Sequence, residues 1–221
     1  MSTNPATWPR VSRWNKSTEH PALILPYGKR KAPVVVFVKV LARVILSAFF
    51  RLRPEGVGNL PAQGPFVLMT KHHRWEDIPL LGLAAPCPLY YVAKQELFIH
   101  PLSRWLITAL GGIPLNRQRP LESRHAIRGL QSLLEQGERI VLFPEGTYYR
   151  GRMGAGRVGL LRLLRSRMRL AYIPVGIRYG EEEVRKTVEI RFGSPIHEDS
   201  SFPVEAFLER VMGEIARLSG F

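Results

Sequence analysis

Apolar residues in this chain gather into short continuous runs separated by stretches of helical spacing. Runs at 65–70 (PFVLMT), 89–93 (LYYVA), 139–144 (RIVLFP), 171–179 (AYIPVGIRY) and 187–192 (TVEIRF) have the length and β-branched or aromatic content of strands covered on both faces. Between them, 101–110, 121–136 and 156–167 place apolar residues at helical intervals, and Gly111, Gly137 and Gly193 mark ends. Residues 202–218, with Pro203 near the start, read as a closing helix. The alternation predicts an α/β fold: a single domain with a mostly central β-sheet flanked by helices.

One segment ahead of that domain has a different character. Residues 33–50 (PVVVFVKVLARVILSAFF) are strongly apolar, yet Lys39 and Arg43 interrupt them four residues apart on one helical face. A spanning helix needs about 20 predominantly apolar residues, and a central Lys or Arg costs roughly 2.5–3.5 kcal/mol on insertion scales. The pattern therefore predicts an amphipathic helix lying in the membrane plane, its basic residues among anionic headgroups. Packing on the domain's own core is the alternative. The expected division is a flexible basic N-terminal arm at 1–31, a membrane-associating helix at 32–53 and a globular domain at 54–221.

Charge supports that division. The 221 residues carry a formal net charge of +14, and ten of the 32 Lys and Arg but only one of the 18 Asp and Glu fall within 1–53. Such an excess concentrates anionic partners. A nucleic-acid role lacks its usual marks here, since no zinc finger, aromatic-rich RNA motif or basic recognition helix is present. Basic residues beside an apolar helix favour a membrane surface with anionic lipids instead. Cys87 is the only cysteine, which excludes an intrachain disulfide framework and a cysteine-cluster metal site and fits a reducing compartment. The proline- and arginine-containing N-terminus does not read as a secretory signal. The expected location is the cytoplasmic face of a membrane.

Two segments carry candidate chemistry. The first, Lys71-His72-His73-Arg74-Trp75-Glu76-Asp77, follows a strand and contains a His-x4-Asp spacing. Positions five apart in a regular helix point about 140° away from each other. The pair makes sense only at a strand-to-helix turn, with His72 in the loop and Asp77 opening a helix whose first turn tolerates Pro79. A carboxylate on one imidazole nitrogen sets the tautomer and stabilises the imidazolium formed when the other nitrogen takes a proton. A surface histidine beside a helix-capping aspartate has the same spacing. The second segment is Phe143-Pro144-Glu145-Gly146-Thr147, at a strand end where α/β proteins carry ligand-handling loops. Gly146 permits close backbone approach there, and Glu145 and Thr147 are candidates to contact a polar acceptor. An ordinary Pro-Glu-Gly turn fits these residues as well.

Together the segments resemble the glycerolipid acyltransferase family that includes the 1-acylglycerol-3-phosphate acyltransferases. His72 and Asp77 match its His-x4-Asp motif and residues 143–147 its Phe-Pro-Glu-Gly-Thr motif. Two weaker blocks follow the same order, Gly112-Ile113-Pro114-Leu115-Asn116-Arg117 and Ile173-Pro174-Val175. The resemblance covers roughly residues 55–195. It implies transfer of a fatty acyl group from acyl-CoA or acyl carrier protein, a co-substrate, to a hydroxyl of a lysolipid acceptor, with no metal and no prosthetic group. It also implies His72 as general base and Asp77 as its orienting partner, with Arg117, Glu145, Gly146 and Thr147 at the substrate; Arg150, just beyond the motif, is a further substrate-binding candidate. No Gly-x-Ser-x-Gly nucleophile elbow occurs, which argues against a covalent acyl-enzyme. The apolar stretches 80–93 and 101–110 are candidate walls of an acyl tunnel.

Two departures bear on the acceptor. Lys71 stands where the family usually has asparagine, and Tyr148-Tyr149 stand where it commonly has Arg-Ser. A tyrosine offers phosphate a neutral hydroxyl in place of a forked cation, leaving Arg150 or Arg152 to compensate. The competing class is a non-catalytic membrane-surface lipid-binding protein on the same fold.

Overall fold

The computed structural model describes residues 30–115, 124–166, 168–180, 185–197 and 202–221. Eight strands form one sheet: β1 (Phe50–Glu55), β2 (Phe66–Thr70), β3 (Tyr90–Lys94), β4 (Gly112–Leu115), β5 (Arg139–Leu142), β6 (Ala171–Gly180), β7 (Lys186–Phe192) and β8 (Ile196–His197). Their spatial order is β1-β7-β6-β2-β5-β3-β4, with β8 paired to β6. β6, β2, β5, β3 and β4 run parallel, β7 is antiparallel to β6, and β1 is parallel to β7. The carboxyl ends of β2, β5 and β3 therefore open along one edge of the sheet, where parallel α/β folds place ligand-binding loops.

β2 is central and buried throughout, and its alternating side chains feed two different cores. Val67 and Met69 pack with Leu130 and Leu134 of α4 (Arg124–Glu135), Leu161 and Leu164 of α5 (Val158–Arg165), and Val211 and Ile215 of α6 (Val204–Ser219). Phe66 and Leu68 face the opposite layer, where Leu80 and Leu81 of α2 (Asp77–Ala84) and Leu46 of α1 (Ala32–Phe49) cover them. A strand buried at every position between two such layers, with Thr70 at its end as the one polar residue, is the burial pattern expected of a central parallel strand.

The expected α/β architecture is present, with differences at the sheet margins. β1 (FRLRPE) and β4 (GIPL) were not among the expected strands. Each has a single neighbour in the sheet, so neither needs the continuous apolar run of a buried strand, and proline is tolerated there. The expected boundary at 53/54 falls inside β1. Helix α1 ends at Phe49, its Leu46 is buried in the second core, and residues 50–55 pair with β7. Residues 50–55 are thus part of the sheet.

Helix α1 nonetheless turns much apolar surface outward. Val36, Phe37, Val40, Leu41, Val44, Ile45 and Phe49 are exposed, Arg43 is exposed and Lys39 half-buried. By length and composition it is the one described helix able to cross a membrane. Helix α3 (Pro101–Ala109) lies where a helix was expected, but its apolar face points away from the protein. Leu102, Trp105 and Leu106 are exposed, so they do not wall an internal tunnel. Arg117 and residues 1–29 of the arm expected at 1–31 lie outside the described residues.

Candidate functional site

β2 ends at Thr70, and residues 71–76 turn into α2, which Asp77 opens. The turn folds the carboxylate back over the loop. Asp77 Oδ2 accepts the backbone N–H of His73 at 2.6 Å and of Arg74 at 2.8 Å, and lies 3.1 Å from His72 Nδ1. Its other oxygen accepts the Tyr179 hydroxyl at 2.6 Å, from β6. Four donors converge on a side chain with no exposed surface, which is what a buried carboxylate requires. The contact expected from the His-x4-Asp spacing is present; an ionised carboxylate only accepts, so this pairing calls for the proton on Nδ1 and leaves Nε2 with its lone pair. Burial first, then the charge and hydrogen bond of Asp77, push the Tyr179 phenol upward, so it stays a donor.

The His72 imidazole is sandwiched. Phe143, at the end of β5, stacks on it with ring centroids 3.8 Å apart, and the Tyr148 ring lies 4.3 Å away at a tilt. The neighbouring His73 has another task. Its Nε2 lies 2.8 Å from the Ile177 carbonyl on β6. Burial holds this imidazole below its usual range against the opposing pull of that hydrogen bond and of Asp77. A neutral ring donating to a carbonyl fits a structural histidine.

The Glu145 loop lies alongside because β5 neighbours β2 in register, with Met69 opposite Leu142. Lys71 is fully buried, and its ammonium makes three contacts of 2.8 Å, to both Glu145 carboxylate oxygens and to the Tyr149 carbonyl. That matches the three donors of a lysine. Glu145 also accepts the backbone N–H of His72 at 3.2 Å and of Gly154 at 2.6 Å, while Tyr149 N–H donates to the His72 carbonyl at 3.0 Å. The substrate contact expected of Glu145 is thus taken by the protein: this carboxylate ties the two loops together. Gly146 is buried with φ +73°, a conformation that favours glycine, and an added Cβ would come 3.0 Å from Arg157 Nε. Thr147 is half-buried; Arg150 is exposed at the same loop.

An apolar cleft opens beside this constellation, among Met69, Val92, Leu115, Leu142, Phe143 and Leu161. Phe143 belongs both to the cleft wall and to the stack on His72. Arg157 also lines the cleft, next to Gly146. The cleft is on the α4–α5 side of the sheet. Of the expected tunnel stretches, 80–93 contributes Val92, and 101–110 contributes nothing.

Sequence reasoning missed three participants. Lys71 was visible only as a departure, because its partner is 74 positions away; Tyr179 and Arg157 sit in no motif. Among the described residues, no group of three or more His, Cys, Asp or Glu is arranged to hold a metal ion.

Comparison with known proteins gives the family. The acyltransferase family model matches residues 51–178. The chain is 27% identical over 160 residues to the chloroplastic 1-acyl-sn-glycerol-3-phosphate acyltransferase of Arabidopsis thaliana, covering 71% of this chain and 44% of that one. It is 33% identical over 144 residues to the lyso-ornithine lipid O-acyltransferase of Pseudomonas aeruginosa, covering 65% and 54%. The matched stretches thus span about half the length of these relatives. The crystal structure of PlsC, the 1-acyl-sn-glycerophosphate acyltransferase of Thermotoga maritima, shares the fold with a TM-score of 0.64, at 21% identity over 85% of this chain and 80% of that one.

Proposed function

The chain belongs to the PlsC-like glycerolipid acyltransferase family, and from that premise we propose that it transfers a fatty acyl group from acyl-CoA or acyl carrier protein to a lysolipid hydroxyl at a membrane surface. The observation that carries this reading is the buried His72–Asp77 pair, at 3.1 Å, beside an apolar cleft. His72 Nε2 takes the proton of the acceptor hydroxyl as its oxygen bonds to the thioester carbonyl carbon. Asp77 holds the ring and stabilises the imidazolium. Collapse of the tetrahedral species breaks the carbon–sulfur bond, and the departing thiolate takes the proton back from His72. The thioester brings its own activated bond, so the step calls on no metal or prosthetic group. The acyl chain occupies the cleft behind Phe143.

Arg117, Thr147 and Arg150 are assigned to the acceptor headgroup, joined by Arg157 of the cleft lining. The non-catalytic alternative gives no reason for four donors to hold Asp77 against His72. The proposed location is the cytoplasmic face of the membrane, in keeping with the single cysteine.

The experiment is acylation of a lysolipid panel, including lysophosphatidic acid and lyso-ornithine lipid, by the purified protein, with products identified by mass spectrometry. New ester products that require His72 are expected; their absence with both donors rejects the reading. Acceptor choice has its own test. Tyr148 is half-exposed against His72 where the family commonly has arginine, so lysophosphatidic acid is not expected to be the best acceptor. Tyr148→Arg is expected to raise kcat/KM for it selectively, by about tenfold or more, the worth of one charge-assisted hydrogen bond. A strong preference for lysophosphatidic acid in the unmodified protein contradicts this assignment.

A further inference from the structure

The segment leading from β3 through α3 inverts the usual burial pattern. Leu97, Ile99, Leu102, Trp105 and Leu106 are 49%, 71%, 76%, 50% and 37% exposed. Leu102, Trp105 and Leu106 are spaced i, i+3, i+4 and share one face of α3. The helix turns Ala109 inward and seats Ile107 against Gly112 of β4. Its outer face is therefore a coherent apolar surface. Its fringe is basic: Lys31, Lys94 and Arg104 are exposed, and Glu96 is the only acid between residues 90 and 111.

This surface abuts helix α1. Lys31 N–H donates to the Ala109 carbonyl at 3.1 Å, and its ammonium lies 5.7 Å from the Trp105 ring centroid. From there α1 carries its exposed Val36, Phe37, Val40 and Leu41 onward. The segment also leaves the sheet at the carboxyl end of β3, the same edge at which the loop after β2 carries His72.

We propose that residues 95–106 form a second lipid-inserting surface which, together with α1, seats the site-bearing edge of the sheet on an anionic bilayer. This rests on the lipid-acyltransferase reading and adds where the protein touches its membrane. Tryptophan at a water–hydrocarbon boundary, apolar neighbours and a basic fringe suit an interface. The same fringe would repel a second copy of this chain, whereas anionic headgroups attract it. Two contact lines also fix the tilt of the domain, which a single helix lying in the plane leaves free to roll.

The test uses the full chain with Trp8→Phe, Trp14→Phe and Trp75→Phe, leaving Trp105 as the sole tryptophan. It is mixed with vesicles of phosphatidylglycerol and phosphatidylcholine whose acyl chains are brominated. Bound protein is expected to lose about half or more of its Trp105 emission. Leu102→Ser with Leu106→Ser, at exposed positions and checked by circular dichroism, is expected to weaken vesicle binding by about tenfold or more. Turnover of a monomeric short-chain lysolipid should be unchanged in that double variant. Unquenched Trp105 in vesicle-bound protein, unchanged binding of the double variant, or self-association that buries Trp105 away from lipid overturns the inference. Quenching without acyl transfer to any acceptor would instead overturn the proposed function and leave the surface standing.

Discussion

The loops at the ends of β2 and β5 and the outer faces of α1 and α3 depart from the usual partition of residues in opposite directions. In the loops Lys71 and Asp77 have no exposed surface and Glu145 has 1%; on the helices Phe37 is 67% and Leu102 76% exposed. The buried charges are satisfied within the chain, three acceptors around Lys71 and four donors around Asp77. The exposed hydrocarbon is not covered by the described residues. The contrast separates what the fold completes by itself from what it leaves for a partner, and the proposed reaction needs both: a fixed proton acceptor and access to lipid.

The largest effect that breaks the comparison is on its polar side. Lys71→Met leaves Glu145 buried without its cation and is expected to destabilise the fold by about 3–5 kcal/mol, read as a lower urea midpoint. Adding Glu145→Gln should recover part of that loss, because the uncompensated charge is gone. A single variant as stable as the parent would show that the Lys71–Glu145 pair contributes nothing.

A smaller effect sharpens it through pH. His73 is held neutral in the fold by burial, whereas in the unfolded chain it titrates near its ordinary value of about 6.5. Its contribution is therefore full above that value and falls away as pH drops below it, because the unfolded state binds the proton more readily. His73→Gln should flatten the stability profile between about pH 6.5 and the lower folded value. A profile unchanged by the substitution contradicts the assignment.

Much of this was legible in the sequence, and the rest was not for identifiable reasons. The runs that became β2, β5 and β6 are apolar because both sheet faces are covered. β1 and β4, at the edges, carry arginine and proline and left no such run. The His72–Asp77 contact was readable because a strand-to-helix turn is local. The Lys71–Glu145 pair was not, since it depends on β5 lying next to β2. Tyr179 reaches Asp77 only because β6 is the other neighbour of β2. The outward face of α3 was missed because helical periodicity shows that one face is apolar but not which way it points.

The central claim is that His72 accepts the proton of an acceptor hydroxyl. Its most direct test is the turnover number for acyl transfer by His72→Ala, at matched circular dichroism and thermal stability, beside the unmodified protein with the best acceptor of the panel. A fall of about 10²–10⁴ is expected from removal of a general base; undiminished turnover in the folded variant would contradict the account.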